Sequence, residues 1–173
     1  LDIVWEKKLA NHTRVRELLA DAAINPGDLI VLPELFDVGF TLNTKIACDN
    51  DGMTLGFLRE LATETECTVH GARAVQADEP GRAYNCATIT FPNTDEYTEY
   101  RKVHPFSFGR EMDAYDPGDS LKQYKWVSQG DTLTVCPAVC YDLRFPELFR
   151  LSVKHGAQVI ALGASWPTPR VQH

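Results

Sequence analysis

The sequence predicts an α/β fold in which helices cover a mixed β-sheet. Helix-period stripes near both ends alternate with short, continuous apolar runs of the kind buried on both faces, and the middle of the chain is a succession of strand-like segments. Taken in order, Asn11 is read as an N-cap, with Val15, Leu18, Leu19 and Ala22 as the apolar stripe of a first helix. Pro26-Gly27-Asp28 breaks that helix, and Leu29-Ile30-Val31-Leu32 reads as a buried strand. A second helix fits 54–66, with Leu55, Leu58, Leu61 and Ala62 on one side. Strand-like segments follow at 68–75, 84–91, 97–103 and 132–139. A third helix opens at Pro146, a favoured first-turn position, and runs through Leu148, Phe149, Leu151 and Val153 to Gly156. The segment 158–162 is one more buried strand. Connections at 76–83 and 104–131, rich in Pro, Gly and charge, read as loops.

The chain has 173 residues, about the size of one domain, with no repeat and no low-complexity tract, so 1–173 is read as a single domain. Lys and Arg number 17 against 24 Asp and Glu, a net charge of −7 with no clustered basic stripe. That charge pattern argues against a nucleic-acid partner or an anionic membrane surface. The longest apolar stretches are strand-sized, far short of a membrane span. Five cysteines (48, 67, 86, 136 and 140) make an odd set without a C-x-x-C pair, which points to a reduced, cytoplasmic setting rather than a disulfide framework. The first residues lack an initiator Met and the basic and apolar regions of a signal peptide. Both ends read as cuts.

Three predicted strands end in a reactive side chain: Glu34 after Leu32-Pro33, Lys102 after Tyr97 to Arg101, and Cys140 after Val135 to Val139. Ligands of open α/β sheets bind beyond the carboxyl ends of strands, so these three can converge. A thiol with a pKa near 8.5 needs a base or a nearby cation to act as a nucleophile. Glu34 could take its proton, and Lys102 could stabilise the thiolate and a later oxyanion. Each also has an ordinary reading: a solvated carboxylate, a surface cation, a small core residue. Cys48, Cys67, Cys86 and Cys136 are read as core. Cys140 differs because it meets the polar turn Tyr141-Asp142-Leu143-Arg144 just before a helix N-terminus, whose dipole favours an anion.

Leu32-Pro33-Glu34-Leu35-Phe36 with Gly39-Phe40, Arg101-Lys102-Val103-His104-Pro105-Phe106, and Cys140-Tyr141-Asp142-Leu143-Arg144-Phe145-Pro146-Glu147 together resemble the nitrilase superfamily of carbon–nitrogen hydrolases. The motifs stand in the family's order over nearly the whole chain. The resemblance implies an α-β-β-α sandwich and hydrolysis of a carbon–nitrogen bond through a cysteine thioester. Glu34 would be the general base, Lys102 the oxyanion stabiliser, Cys140 the nucleophile, and Glu111 the second glutamate that positions the lysine and substrate. Tyr141 would supply a backbone N–H to the oxyanion hole.

The cysteine block and Ala164-Ser165-Trp166-Pro167-Thr168-Pro169-Arg170 are most similar to omega-amidase-like members, which hydrolyse short dicarboxylic monoamides. On that reading Arg144 would hold the distal carboxylate, its alternative being a structural salt bridge. Trp166 would line the pocket or cover the core, and Phe40 and Tyr115 would wall the site. No cofactor or metal is expected, and the resemblance suggests a homodimer or larger homo-oligomer when full length. Rival readings are a nitrilase, an N-carbamoyl amino-acid amidohydrolase, a catalytically inactive interaction domain and, more remotely, a papain-like Cys–His hydrolase. Two departures stand out. Pro137 falls in a strand expected to be central, where it deletes a ladder hydrogen bond. The family's complete first strand and its closing strands and helix have no counterpart here, so sheet edges and helix faces are expected to lie uncovered.

Overall fold

The computed structural model describes residues 1–167. Its elements run α1 (Lys8–Ala20), β1 (Leu29–Val31), α2 (Thr44–Ala47), α3 (Met53–Thr65), β2 (Thr68–Gln76), β3 (Ala83–Thr90), β4 (Tyr97–Arg101), β5 (Tyr115–Asp116), β6 (Tyr124–Ser128), β7 (Asp131–Val139), α4 (Pro146–Lys154) and β8 (Val159–Gly163). They build two sheets. The first has the order β1-β2-β3-β4, with β5 pairing parallel to β3; β1 is parallel to β2, and β2, β3 and β4 are antiparallel. The second is β6-β7-β8, antiparallel then parallel.

The layering follows from which side chains share a core. Val15 of α1 and Phe57, Leu58, Leu61 and Ala62 of α3 pack with Ile30 and Val69 on one face of the first sheet. Ala87, Ile89 and Tyr100 on its other face pack with Val135, Cys136 and Val139 of the second sheet, and Leu148 of α4 joins that cluster. The result is α-β-β-α, as the resemblance implies. It explains why β2 and β3 show no apolar–polar alternation: helices cover one side and a sheet the other, so both faces are dry.

Several sequence expectations need correction. Asn11 lies inside α1 rather than capping it. Its buried amide donates to the Val4 and Asp37 carbonyls and accepts from the Val4 N–H, stitching the amino-terminal segment to the loop after β1. The α1 face that turns inward is Asn11, His12 and Val15; Leu18 is exposed and Ala22 lies beyond the helix. Val31 and Ile160, read as buried on both faces, are 39% and 46% exposed. The segment 104–131 is not a plain loop, since β5 and β6 form within it. Pro137 is accommodated because the β6 ladder ends at Val135, so only β8 flanks it. In α4, Leu148 is buried while Leu151 and Val153, read as part of the same apolar stripe, are exposed.

Candidate active site

The strand ends bring Glu34, Lys102 and Cys140 together, with Glu111 beside them. The ladder continues past β1 through Leu32, whose N–H donates to the His70 carbonyl at 2.8 Å, and the chain then turns at Pro33-Glu34. Leu35 sits at φ +43°, a left-handed conformation that costs a non-glycine residue about 1–3 kcal/mol. Its carbonyl accepts from Val38 N–H (3.1 Å) and Gly39 N–H (2.7 Å), which hold the turn. Lys102 leaves β4 with its own N–H donating to the Asn85 carbonyl (2.8 Å) and its carbonyl accepting from Gly118 N–H (2.7 Å). A Cβ at Gly118 would collide with the Arg101 carbonyl, so only glycine allows this approach.

Glu34, Lys102, Glu111 and Asn85 are each no more than 1% exposed. The Lys102 ammonium donates to Glu34 Oε1 at 2.6 Å and to Glu111 Oε2 at 2.8 Å. Glu111 Oε2 also accepts from Phe106 N–H at 2.5 Å. The Asn85 amide donates to Glu34 Oε1 and to Glu111 Oε1, both at 2.9 Å. Among the described residues, Glu34 Oε2 is buried and has no donor at full hydrogen-bond geometry, while the Cys140 thiol lies close enough to interact with the carboxylate. Burial raises the Glu34 pKa above its ordinary value; Lys102 opposes that, Glu111 adds to it, and hydrogen bonding to Lys102 and Cys140 works against it. For Lys102, burial acts against the charge, yet the attraction and hydrogen bonds of the two glutamates prevail and raise its pKa.

Cys140 opens a 3-10 turn, Cys140–Arg144, at φ +45° and is half-buried. Its thiol is pushed up to about 12, first by burial and then by the Glu34 charge, with Lys102 and a hydrogen bond to Trp166 pulling the other way. At neutral pH it therefore stays protonated, and a base must act when it attacks. The four other cysteines are buried, as expected.

The strained turn is held by Asp142, which the sequence reading passed over. Its buried carboxylate accepts from Val139 N–H (3.0 Å), Tyr100 O–H (2.8 Å) and His104 N–H (3.0 Å), and it contacts His104 Nδ1 at 2.9 Å. His104 in turn stacks on Phe145 at 3.7 Å. The segment after Lys102 is thus locked to the turn carrying Cys140. Asn85 was also missed, although an Asn inside an otherwise apolar strand is itself a signal.

Phe40 and Tyr141 stand at the site. The Lys102 ammonium lies 5.8 Å from the Phe40 ring centroid, and Tyr141 packs edge-on against Phe106 at 5.0 Å. Trp166 is 46% exposed and lies near enough to the Cys140 thiol to interact with it. Arg144 is exposed and has no ion pair among the described residues, which leaves no sign of the structural salt bridge there. Tyr115 does not wall the site. It is fully buried, its hydroxyl donates to the Thr41 carbonyl at 2.9 Å, and it packs with Leu35, Val38 and Ala83 beneath Phe40. Thr168, Pro169 and Arg170 lie outside the described residues.

The carbon-nitrogen hydrolase family model matches residues 1–172. The chain belongs to that family. Among relatives of this carbon–nitrogen hydrolase, the hydrolase in the agr operon of Staphylococcus aureus is 29% identical over 100% of the chain and 66% of the relative. The 2-oxoglutaramate amidase of Paenarthrobacter nicotinovorans is 30% identical over 93% of the chain and 56% of the relative. A CN-hydrolase superfamily protein from Xanthomonas campestris, solved with an arsenic adduct in its active site, superposes with a TM-score of 0.83 at 28% identity, covering 98% of the chain and 64% of that structure. The chain thus spans two thirds or less of the length of these relatives. Among the described residues, no helix is long and apolar enough to cross a membrane.

Proposed function

We propose that this chain carries the reacting centre of an amidase that hydrolyses a small carboxylic monoamide through a thioester on Cys140. The observation that carries the reading is the buried Glu34–Lys102–Glu111 cluster set against a protonated thiol, with Glu34 Oε2 unengaged. As Cys140 attacks the amide carbon, its proton passes to Glu34 and the S–C bond forms. Lys102 has three donors and spends two on the glutamates, so the third is available to the oxyanion together with the Tyr141 backbone N–H. Glu34 returns the proton to the amine nitrogen, the C–N bond breaks and ammonia leaves. Glu34 then takes a proton from water as it adds to the thioester and returns it to the Cys140 sulfur as the C–S bond breaks, giving the carboxylic acid and the free thiol. Glu111 holds the ammonium in place throughout.

Similarity to the Paenarthrobacter 2-oxoglutaramate amidase favours an omega-amidase-like substrate, and the exposed cation Arg144, in the turn that Cys140 opens, is the candidate to hold a distal carboxylate. The test is ammonia release from 2-oxoglutaramate by the full-length protein, with Cys140→Ala beside it. Turnover by the parent and none by the variant, with circular dichroism unchanged, is the expected result. Normal turnover by Cys140→Ala would remove the nucleophile assignment.

A further inference from the structure

One buried residue bonds every member of the charged cluster: Asn85 reaches both glutamates through its side chain and Lys102 through its backbone carbonyl. Asn85 lies on β3, paired across the ladder with Ala74. Its Nδ2 donates to Glu34 Oε1 and Glu111 Oε1, and its backbone carbonyl accepts from the Lys102 N–H. Which way the amide points is decided by chemistry: two carboxylate oxygens face it, and only the NH₂ end can donate to both. The carbonyl end, Oδ1, is left buried without a hydrogen-bond partner. Packing alone gives no reason for that, since an unpaired buried acceptor is destabilising.

Counting donors shows what the amide does. Glu111 has Oε1 filled by Asn85 and Oε2 filled by Lys102 and Phe106 N–H. Glu34 has Oε1 filled twice, by Asn85 and Lys102. Of the four carboxylate oxygens, only Glu34 Oε2 has none of these donors. Two carboxylates around one ammonium also carry an excess negative charge in a dry site, which favours proton uptake by one of them. A neutral double donor opposes that uptake without adding a second cation.

We propose that Asn85 is a positioning residue: by bridging Glu34 and Glu111 it occupies Glu34 Oε1, keeps Glu34 ionised, and leaves Oε2 as the oxygen that takes the Cys140 proton. This rests on the amidase reading above.

The experiment compares Asn85→Asp and Asn85→Ala with the parent in the full-length enzyme. It follows iodoacetamide alkylation of Cys140 by mass spectrometry against pH, alongside kcat and KM. Hydrogen bonds to an ionised group are worth enough to move a pKa by about one to two units. The acid limb of alkylation and of kcat/KM is therefore expected to move up by about that much in Asn85→Asp, with kcat falling and KM nearly constant. Asn85→Ala, which removes the donors without adding charge, should move it less. A purely structural role predicts lower stability in both variants with the acid limb unmoved. A folded Asn85→Asp variant with the parental limb overturns the proposal.

Should either variant fail to fold, the unaltered protein still decides. The two Asn85 side-chain amide protons, followed by NMR, should shift with the same midpoint as the alkylation limb. Resonances that stay flat through that midpoint overturn the proposal. If Cys140→Ala retains turnover, it is the amidase reading that fails. If Cys140→Ala is dead and the Asn85→Asp profile is parental, the Asn85 assignment alone falls.

Discussion

Among the described residues, two buried cations, Arg73 and Lys102, are each set between two carboxylates, and they are built differently. Arg73 is held by Asp49 (3.2 Å) and Glu99 (3.1 Å) and also donates to the Thr88 hydroxyl (3.1 Å). The remaining capacity of Asp49 goes to the first turn of α3, accepting from Thr54 N–H (2.8 Å) and Leu55 N–H (2.9 Å). The guanidinium fork and the cap together use both oxygens of Asp49. Lys102, by contrast, sits between Glu34 and Glu111 beside a thiol, and one oxygen of Glu34 is left without a donor. A structural ion cluster consumes its lone pairs. On the proposed function, the Lys102 cluster instead keeps one basic lone pair dry for the Cys140 proton, at some cost in stability.

Breaking the reactive cluster should show mainly in rate. Glu34→Gln removes the base while keeping the shape, and a fall in kcat/KM of about 10²–10⁴ is expected, with thermal stability little changed. Lys102→Met should cost about 10²–10³ in kcat through the lost oxyanion donor, and it should also lower the melting temperature because two buried carboxylates lose their counter-ion. Steady-state assays and melts on the same samples separate the two effects.

Breaking the structural cluster should show in stability instead. Arg73→Met takes the nearer cation from Asp49, leaving it the Lys8 ammonium at 3.9 Å and the N–H groups of α3, and is expected to destabilise by about 3 kcal/mol in urea titration, with the Cys140 alkylation rate per folded molecule unchanged. A slowed alkylation would mean that the two clusters are coupled.

The smallest effect sharpens the same contrast at Asp37, in the turn that carries Glu34. Its carboxylate accepts from the Thr54 hydroxyl at 2.7 Å, Oδ1 has no partner, and burial pushes its pKa up to about 6. The folded chain therefore holds a proton there that the unfolded chain has released, so stability from this group falls as pH rises from about 4 to about 6. His12 and His70 act in reverse. Burial lowers each to about 4, so their contribution is complete above about 6.5 and is lost on acidification toward 4. Asp37→Asn should accordingly be more stable at pH 7 by up to about 3 kcal/mol and should lose stability more steeply between pH 6.5 and 4. Melts at pH 4, 5 and 7 check both signs.

Much of this was legible in the residues. The helices at 54–66 and 146–156 and the long strands follow from apolar periodicity, which local geometry enforces. Glu34, Lys102 and Cys140 stood as candidates because each follows a predicted strand, and the resemblance of the surrounding motifs to the nitrilase superfamily singled them out. Asp142 and Asn85 could not be assigned that way, because the side-chain partners that matter, Tyr100 and His104 for Asp142 and Glu34 and Glu111 for Asn85, are 26–51 residues distant and no local rule brings them close. Tyr115 was misread for the same reason: an aromatic near Glu111 in sequence can turn toward the core or the cleft, and packing beneath Phe40 settles which.

Composition, periodicity and the three strand-end motifs therefore determined the fold class and named the acid, the amine and the thiol, since those depend on residues near one another in the chain. Folding alone decided which carboxylate oxygen stays free, which cysteine is reachable and which cation is structural. Those properties depend on burial and on hydrogen bonds between distant strands, and they exist only once the two sheets have closed on each other.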